Sequence, residues 1–281
     1  MFLRRTKTGR RELLFYTALA WIGSARSASG GPMKTILVSS PRGGSGKTTL
    51  AVHLAVAAEL RREVPVVLLD TDPLGFALDC CNVRRTRLLD TPGARAMRPQ
   101  GVEKALLELR AEGAQYVIVD TPPSTVSTFP ELLGYGDFLL VPVDPSVWEL
   151  RALKRSLPAI RRAARPFAFV WCRTSKIVRK DQAACMEELA TFGQVLRASM
   201  RERVIYTEPF VNGYSAFEDK RRGDPAAEDV FAIWAEVRER LAAMSEPQPP
   251  TVSTDRPQRP TPRSRRTRLP KMSIERTLPA E

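Results

Sequence analysis

The sequence has four cysteines and a single histidine, and this scarcity excludes several kinds of site. The cysteines include the adjacent pair Cys80 and Cys81 but form no CxxC motif. Neither a disulfide scaffold nor a cysteine-ligated zinc or iron–sulfur centre is indicated, and a reducing compartment fits best. The histidine, His53, lies on a largely apolar stretch without a second histidine, which favours packing over catalysis.

Acidic residues are too few to balance the basic ones. The 281 residues include 44 lysines and arginines against 31 aspartates and glutamates, a net charge of +13, and residues 1–32 and 245–281 carry +5 and +4 of it. Such a charge attracts polyanions, so nucleic acid or another anionic surface is the indicated class of partner. The ordinary shares of hydrophobic (43%) and charged (27%) residues exclude wholesale disorder and a multi-pass membrane protein.

The C-terminal segment, residues 245–281, has no aromatic residue and contains eight prolines. It cannot bury enough apolar surface to offset the entropy lost on ordering its backbone. We expect a disordered Pro/Arg-rich tail that either contacts phosphates or acts as a solvated linker. Residues 33–244 then form one folded domain.

Within that domain, short apolar segments alternate with helical patterns. Segments that are apolar throughout predict strands covered on both faces at residues 35–38, 64–69, 116–119, 138–143 and 167–171. Helical patterns occupy residues 47–62, 102–112, 146–164, 180–192 and 225–244. The alternation predicts an α/β, doubly wound, mostly parallel sheet with helices on both faces and ligands at the carboxyl ends of the strands.

The first predicted strand runs into a glycine-rich loop that leads directly into a helix. Such a loop wraps a phosphate chain, and its backbone N–H groups and the helix N-terminus point positive charge at that chain. Lys47 is predicted to reach the β- and γ-phosphates and the Thr48 hydroxyl to ligate Mg²⁺. The predicted nucleotide-binding residues of this P-loop are Gly43, Gly44, Ser45, Gly46, Lys47, Thr48 and Thr49.

Two later strands end in aspartates that complete a phosphoryl-transfer site. One leads into Asp70-Thr71-Asp72-Pro73 and the next into Asp120-Thr121-Pro122-Pro123. A carboxylate at a buried strand tip beside the phosphates can hold Mg²⁺, the role predicted for Asp120 and Asp70. If the strand continues past Asp70, Asp70 and Asp72 point to opposite sides and only one faces the γ-phosphate. Helix capping or turn formation is the alternative role for each acid taken alone.

Residues 42–49, 70–73 and 120–124 together resemble the ParA branch of the ParA/MinD ATPases, which have a deviant Walker A P-loop. Residues 141–153 and, more loosely, 214–241 are similar to the same family. The resemblance implies a cytoplasmic, nucleoid-associated ATPase that dimerises around two ATP molecules with Mg²⁺. It further implies binding to DNA without sequence preference, slow hydrolysis stimulated by a ParB-like adaptor protein, and a role in plasmid or chromosome partitioning.

The resemblance also assigns roles to single residues. Arg42 stands where the family has a lysine that reaches into the partner's site, and arginine is not equivalent to lysine there. Asp72 matches the acid that orients the attacking water, and Asp120 matches the Walker B acid. Lys47, Asp72 and Arg42 are therefore the predicted catalytic residues. Leu74 replaces the glutamine that commonly follows the DxDP segment.

The first 32 residues permit two interpretations. A basic segment precedes a largely apolar stretch, residues 13–23, which is too short to span a bilayer but has the outline of a secretory signal. Because a nucleotide site follows directly and needs cytosolic ATP, we favour Met33 as the physiological start and residues 1–32 as an extension. No stable membrane insertion is expected.

DNA contacts must come from basic surface outside the phosphate site. Such contacts read no base sequence and weaken steeply with salt. The predicted contacts, besides the tail arginines, are Arg173, Lys176, Arg179, Lys180, Lys220, Arg221 and Arg222. For each cluster, a solvated helix face is the alternative.

A second functional hypothesis is a nucleotide-gated positioning or scaffold protein with little turnover, which localises a cellular machine. The sequence lacks a C-terminal amphipathic helix, which disfavours a MinD-like membrane cycle. It also lacks a C-terminal tyrosine cluster, which disfavours a capsule-type tyrosine kinase.

Overall fold

The computed structural model describes residues 32–61, 65–87, 89, 92–123, 129–175, 180–208, 212–218 and 224–244. The strands within this part of the chain are β1 (Lys34–Val38), β2 (Val66–Asp70), β3 (Gly93–Ala96), β4 (Tyr116–Asp120), β5 (Phe138–Val143), β6 (Phe167–Thr174) and β7 (Val195–Arg201). The helices are α1 (Lys47–Leu60), α2 (Phe76–Thr86), α3 (Val102–Ala111), α4 (Phe129–Leu133), α5 (Val147–Arg162), α6 (Lys180–Ala190) and α7 (Asp224–Ala242). The predicted N-terminal extension and the Pro/Arg-rich tail lie outside the described residues, apart from Pro32.

The seven strands form one parallel sheet in the order β3-β2-β4-β1-β5-β6-β7. Alternate side chains of each strand pack on opposite faces. In β1, Ile36 and Val38 join the core on the side of α1, α2 and α7, whereas Leu37 joins the core on the side of α3, α5 and α6. The predicted doubly wound α/β class is therefore confirmed.

Helix α1 is buried inside the fold. Nine of its residues in a row, Leu50 to Ala58, are buried, so α1 is covered around its whole circumference. His53 lies in this run with its Nδ1 atom 2.8 Å from the Thr49 carbonyl oxygen and its ring edge-on to Tyr206. Burial lowers the pKa of His53 to about 4, so the ring is a neutral packing group.

The sequence patterns missed the strands at the two sheet edges. Strand β3 is four residues long, without β-branched or aromatic side chains. In β7, Leu196 and Met200 are buried but Arg197 and Arg201 are exposed, so it has no continuous apolar run. The sequence patterns also do not predict helices α2 and α4.

The four cysteines are buried and unpaired.

Trp171 belongs to the core, but Trp148 is 69% exposed at the start of α5, so it is not a core residue. None of the described helices combines the length and hydropathy needed to cross a membrane.

Candidate nucleotide site

The carboxyl ends of three neighbouring strands bring the predicted site together. In the register of the sheet, Asp120 at the end of β4 pairs with Val38 at the end of β1 and with Asp70 at the end of β2. The loop that follows β1 therefore begins beside both acidic strand ends. This is the arrangement expected from parallel strands that share one edge.

The phosphate loop occupies residues 39–46, between β1 and α1. Gly44 and Gly46 have φ angles of 81° and 91°, in the left-handed region that glycine adopts without steric cost. Gly46 is the N-cap of α1, and no side chain caps the helix. The amides of the first turn therefore stay available for an anion.

Lys47 folds back over the loop. Its Nζ atom donates a 2.7 Å hydrogen bond to the carbonyl oxygen of Arg42, which also accepts one from the Ser45 hydroxyl. Burial lowers the pKa of Lys47, while the carboxylates of Asp120, Asp72 and Glu149 act in the opposite direction. The ammonium thus lies in a pocket with several acids nearby, at the entry to α1.

Asp120 is fully buried, and neither of its carboxylate oxygens has a hydrogen-bond partner of normal geometry among the described residues. Burial raises its pKa to about 8, although the Thr48 side chain and Lys47 lower it in part. A buried carboxylate without donors is costly, and a cation would satisfy it. Oxygen donors of this kind suit Mg²⁺, which Asp120 and Thr48 would hold. When bound, the ion would neutralise charge on the phosphate oxygens.

The carboxylate of Asp70 is engaged with the backbone that follows it. Its Oδ1 accepts from the amide of Asp72 at 3.1 Å and its Oδ2 from the amide of Leu78, in the first turn of α2, at 2.9 Å. The capping alternative therefore describes Asp70 well, and its role as a metal ligand stays a prediction. Strand β2 ends at Asp70, so the strand alternation considered for Asp70 and Asp72 does not apply.

Asp72 lies in the turn between β2 and α2. Its Oδ1 accepts from the amide of Leu74 at 3.0 Å, and Asp72 borders the cleft above the phosphate loop. That cleft has a volume of about 480 Å³. The predicted residues that line it are Gly43, Gly44, Gly46, Lys47, Thr48, Thr49 and Asp72.

Arg42 is held by a residue that the sequence analysis did not identify. Its Nη1 atom is 3.5 Å from Oε2 of Glu149, whose side chain is 1% exposed, and the Ser40 hydroxyl donates to Oε1 of Glu149 at 3.2 Å. Ser146 caps α5 by accepting from the amide of Glu149. The spacing of Ser146 and Glu149 matches a capping box, a signal that marks this helix start in the sequence.

Arg173, predicted to contact DNA, lines the nucleotide cleft. Its Nη1 donates to the Gly44 carbonyl oxygen at 3.1 Å, and its φ of 59° is in the left-handed region that non-glycine residues rarely adopt. Lys180 is exposed at the start of α6. The other predicted DNA contacts, Lys176, Arg179 and residues 220–222, lie outside the described residues, as does the tail.

Residues 36–198 match the family model described as the CobQ/CobB/MinD/ParA nucleotide-binding domain. This chain belongs to that family. The ParA/MinD resemblance drawn from the motifs is therefore confirmed, and proteins of this family are nucleotide-binding ATPases.

Comparisons with individual proteins agree with this assignment. Maintenance of carboxysome distribution protein A from Halothiobacillus neapolitanus is 31% identical over 213 residues, covering 72% of this chain and 95% of that protein. Among solved structures, an ATP complex of McdA from Cyanothece superposes with a TM-score of 0.60 at 19% identity, covering 78% of this chain and 100% of that one. The MinC:MinD cell division complex of Aquifex aeolicus superposes with a TM-score of 0.59 at 18% identity, covering 76% of this chain and 98% of that one. At these identities the structural matches establish the fold.

Proposed function

We propose that this chain is a Mg²⁺-dependent ATPase that forms a homodimer on ATP binding and binds DNA without sequence preference in that state. ATP hydrolysis then releases the protein from DNA. Repeated cycles of binding and release position a cargo on the nucleoid, within the cytoplasm. The observation that carries the ATPase is Asp120, which lies beside the phosphate loop and Lys47 and whose buried carboxylate oxygens have no hydrogen-bond partner of normal geometry among the described residues. A magnesium-bound triphosphate supplies the charges that this arrangement lacks.

The chemistry asked of these residues is positioning and charge neutralisation, which dominate phosphoryl transfer. Lys47 exchanges the Arg42 carbonyl for phosphate oxygens. The carboxylate of Asp72, which borders the cleft, orients the attacking water. Arg42, which is 49% exposed, leaves Glu149 and reaches the partner's nucleotide.

The cargo has two candidate classes. The family resemblance favours plasmid or chromosome partitioning with a ParB-like adaptor protein. The similarity to a protein named for maintaining carboxysome distribution, nearly all of whose length is covered, favours a protein body positioned through its own adaptor. In both cases the ATPase cycle and the DNA surface are the same.

The test compares wild type, Lys47→Ala and a control, Lys104→Ala, which removes an exposed lysine on α3. Wild type and the control are expected to bind Mg-ATP in calorimetry, to dimerise with ATP in sedimentation and to bind duplex DNA. Lys47→Ala should lose all three. ATP-independent sedimentation of the wild type, or equal ATP binding by Lys47→Ala, would contradict the proposal.

Steady-state ATPase measurements with and without duplex DNA separate the cycling ATPase from the scaffold with little turnover. We expect a slow basal rate that DNA raises in the wild type, because cargo-linked cycling requires turnover. A nucleotide that is bound but never hydrolysed, with DNA present or absent, would support the scaffold hypothesis.

A further inference from the structure

The charged side chains exposed on α5 are all basic. The cations exposed on this helix are Arg151, Lys154, Arg155, Arg161 and Arg162. Its one acidic residue, Glu149, is buried at the opposite side of the first turn, where it contacts Ser40 and Arg42. No acidic side chain of α5 therefore offsets these charges at the surface.

Two of the five cations are already engaged, one with the neighbouring helix α6 and one with the turn that follows it. Lys154 forms an ion pair with Glu188 of α6, and Arg161 donates to the carbonyl oxygen of Phe192 at 3.1 Å. These interactions fix the direction in which that side of α5 faces. The remaining three arginines face elsewhere, and we refer to them as the α5 stripe.

The α5 stripe consists of Arg151, Arg155 and Arg162, which have no ion pair with any residue that the structure describes. Intervals of four and seven residues place them on one side of the helix, along about 16 Å of its axis. The guanidinium of Arg151 lies 5.1 Å from the ring centre of the exposed Trp148, which supports it at one end. The stripe is thus a linear array of uncompensated charges.

A linear polyanion fits such an array better than a folded protein surface does. Duplex DNA carries one negative charge per about 1.7 Å of its axis, so a stripe of this length meets several phosphates without requiring a base sequence. We propose that the α5 stripe binds the phosphate backbone of duplex DNA, an inference that rests on the DNA binding in the proposed function.

The position of α5 links this surface to the nucleotide. Its first turn carries Glu149, which contacts both Ser40 and Arg42 of the phosphate loop. The stripe begins at Arg151, two residues further along the same helix. A rearrangement of Arg42 on dimerisation therefore acts directly on the N-terminal turn of the helix that carries the stripe.

The experiment measures the affinity of the full chain with Mg-ATP for duplex DNA of random sequence over a range of salt concentrations. The variant Arg151→Gln/Arg155→Gln/Arg162→Gln removes the stripe. Its matched control, Arg98→Gln/Lys104→Gln/Arg110→Gln, removes the same charge from exposed positions in and just before α3. Glutamine preserves helix propensity, and all six side chains are exposed, so both variants should fold.

If the stripe binds phosphates, its removal lowers the slope of log affinity against log salt by about 2.7 for each subunit that contacts the duplex, at about 0.9 for each of its three contacts. The control leaves that slope within 1 of the wild type, and ATP binding is unchanged in both variants. Equal slopes for the two triple variants would overturn the assignment to α5 while leaving DNA binding itself intact.

Two further outcomes would also overturn the inference. If the wild type with Mg-ATP binds no duplex DNA, the DNA-binding part of the proposed function fails and the stripe has no such ligand. If the stripe variant loses binding to a polyglutamate peptide but keeps its affinity and salt slope for DNA, the stripe is a docking site for an acidic protein. The single reversal Arg155→Glu provides a second test, since it should reduce DNA affinity more than Lys104→Glu does.

Discussion

The guanidinium of Arg42 lies 3.5 Å from the carboxylate of Glu149 and ties the phosphate loop to the first turn of α5 within one subunit. The two ends of this contact differ, because the Arg42 side chain is 49% exposed and that of Glu149 is 1% exposed. A half-exposed arginine gains little from such a pair and moves easily. The buried glutamate keeps the Ser40 hydroxyl as a donor when the arginine leaves.

This geometry predicts that Glu149 opposes ATP-dependent dimerisation. Glu149→Gln keeps an acceptor for Ser40 but removes the charge that holds Arg42, so the arginine becomes available to the partner's site. We expect the dimer dissociation constant with Mg-ATP to fall about two- to fivefold, in line with the small free energy of half-exposed ion pairs. Sedimentation equilibrium measures it. A weaker dimer would mean that Glu149 supports the interface instead.

The buried carboxylate of Asp120 predicts a pH dependence of stability. Burial raises its folded-state pKa from about 4 to about 8, so the folded state holds a proton that the unfolded chain has lost. Its contribution to stability is present below pH 4 and declines as the pH rises towards 8. Relative to Asp120→Asn, the wild type without magnesium should lose at most about 1.4 kcal/mol per pH unit in this range.

Urea unfolding of both proteins between pH 5 and 8 measures this difference directly. Their difference is informative because other buried groups, such as His53 and Glu59, titrate alike in both proteins. Millimolar magnesium with ATP should stabilise the wild type at pH 8 more than it stabilises Asp120→Asn. Parallel pH profiles would show that the Asp120 carboxylate is ionised in the folded state at neutral pH.

The link between α2 and the C-terminal part of the domain depends on a close backbone approach. Arg84 is buried, pairs with Glu218 at 2.8 Å and donates to the carbonyl oxygen of Gly213 at 2.9 Å. A Cβ atom at Gly213 would lie 2.9 Å from the Arg84 amide nitrogen, and the φ of Gly213 is +80°. The glycine at this position is required by both the available space and the backbone conformation.

Gly213→Ala should therefore destabilise the fold more than a substitution that introduces backbone strain alone. The matched control is Gly113→Ala, because Gly113 has a φ of +86° and nothing within 4 Å of the added Cβ. We expect a loss of about 1–2 kcal/mol for Gly113→Ala from the left-handed conformation and a larger loss for Gly213→Ala. Denaturant unfolding compares them. Equal losses would mean that the loop around residue 213 shifts away from Arg84 freely.

The sequence predicts those parts of the nucleotide site that are formed by residues close together along the chain. A strand that ends in an acidic residue or leads into a glycine-rich loop can be recognised from its local sequence. In a parallel sheet, the ends of such strands lie side by side. The contacts of Glu149 and Arg173 depend instead on distant segments that meet, over 109 and 129 residues of separation. Edge strands were missed for a related reason, since β7 is apolar on one side only and its pattern resembles a loop.

The backbone of Arg173 adopts the left-handed conformation, with a φ of 59°. A non-glycine residue in this conformation costs of order 1–3 kcal/mol, and such strain persists where the surroundings fix it, often at functional sites. The side chain reaches the Gly44 carbonyl oxygen, so we expect it to hold the phosphate loop in place. Arg173→Ala should weaken Mg-ATP binding about three- to tenfold, the value of one lost hydrogen bond. Arg173→Lys should restore part of the ATP affinity, and the salt dependence of DNA binding should not change in either variant.

The opposite result would assign Arg173 to the DNA surface. If calorimetry finds the ATP affinity of Arg173→Ala unaltered while the salt slope for DNA falls by about 1, then Arg173 contacts DNA phosphate, as the sequence alone predicts.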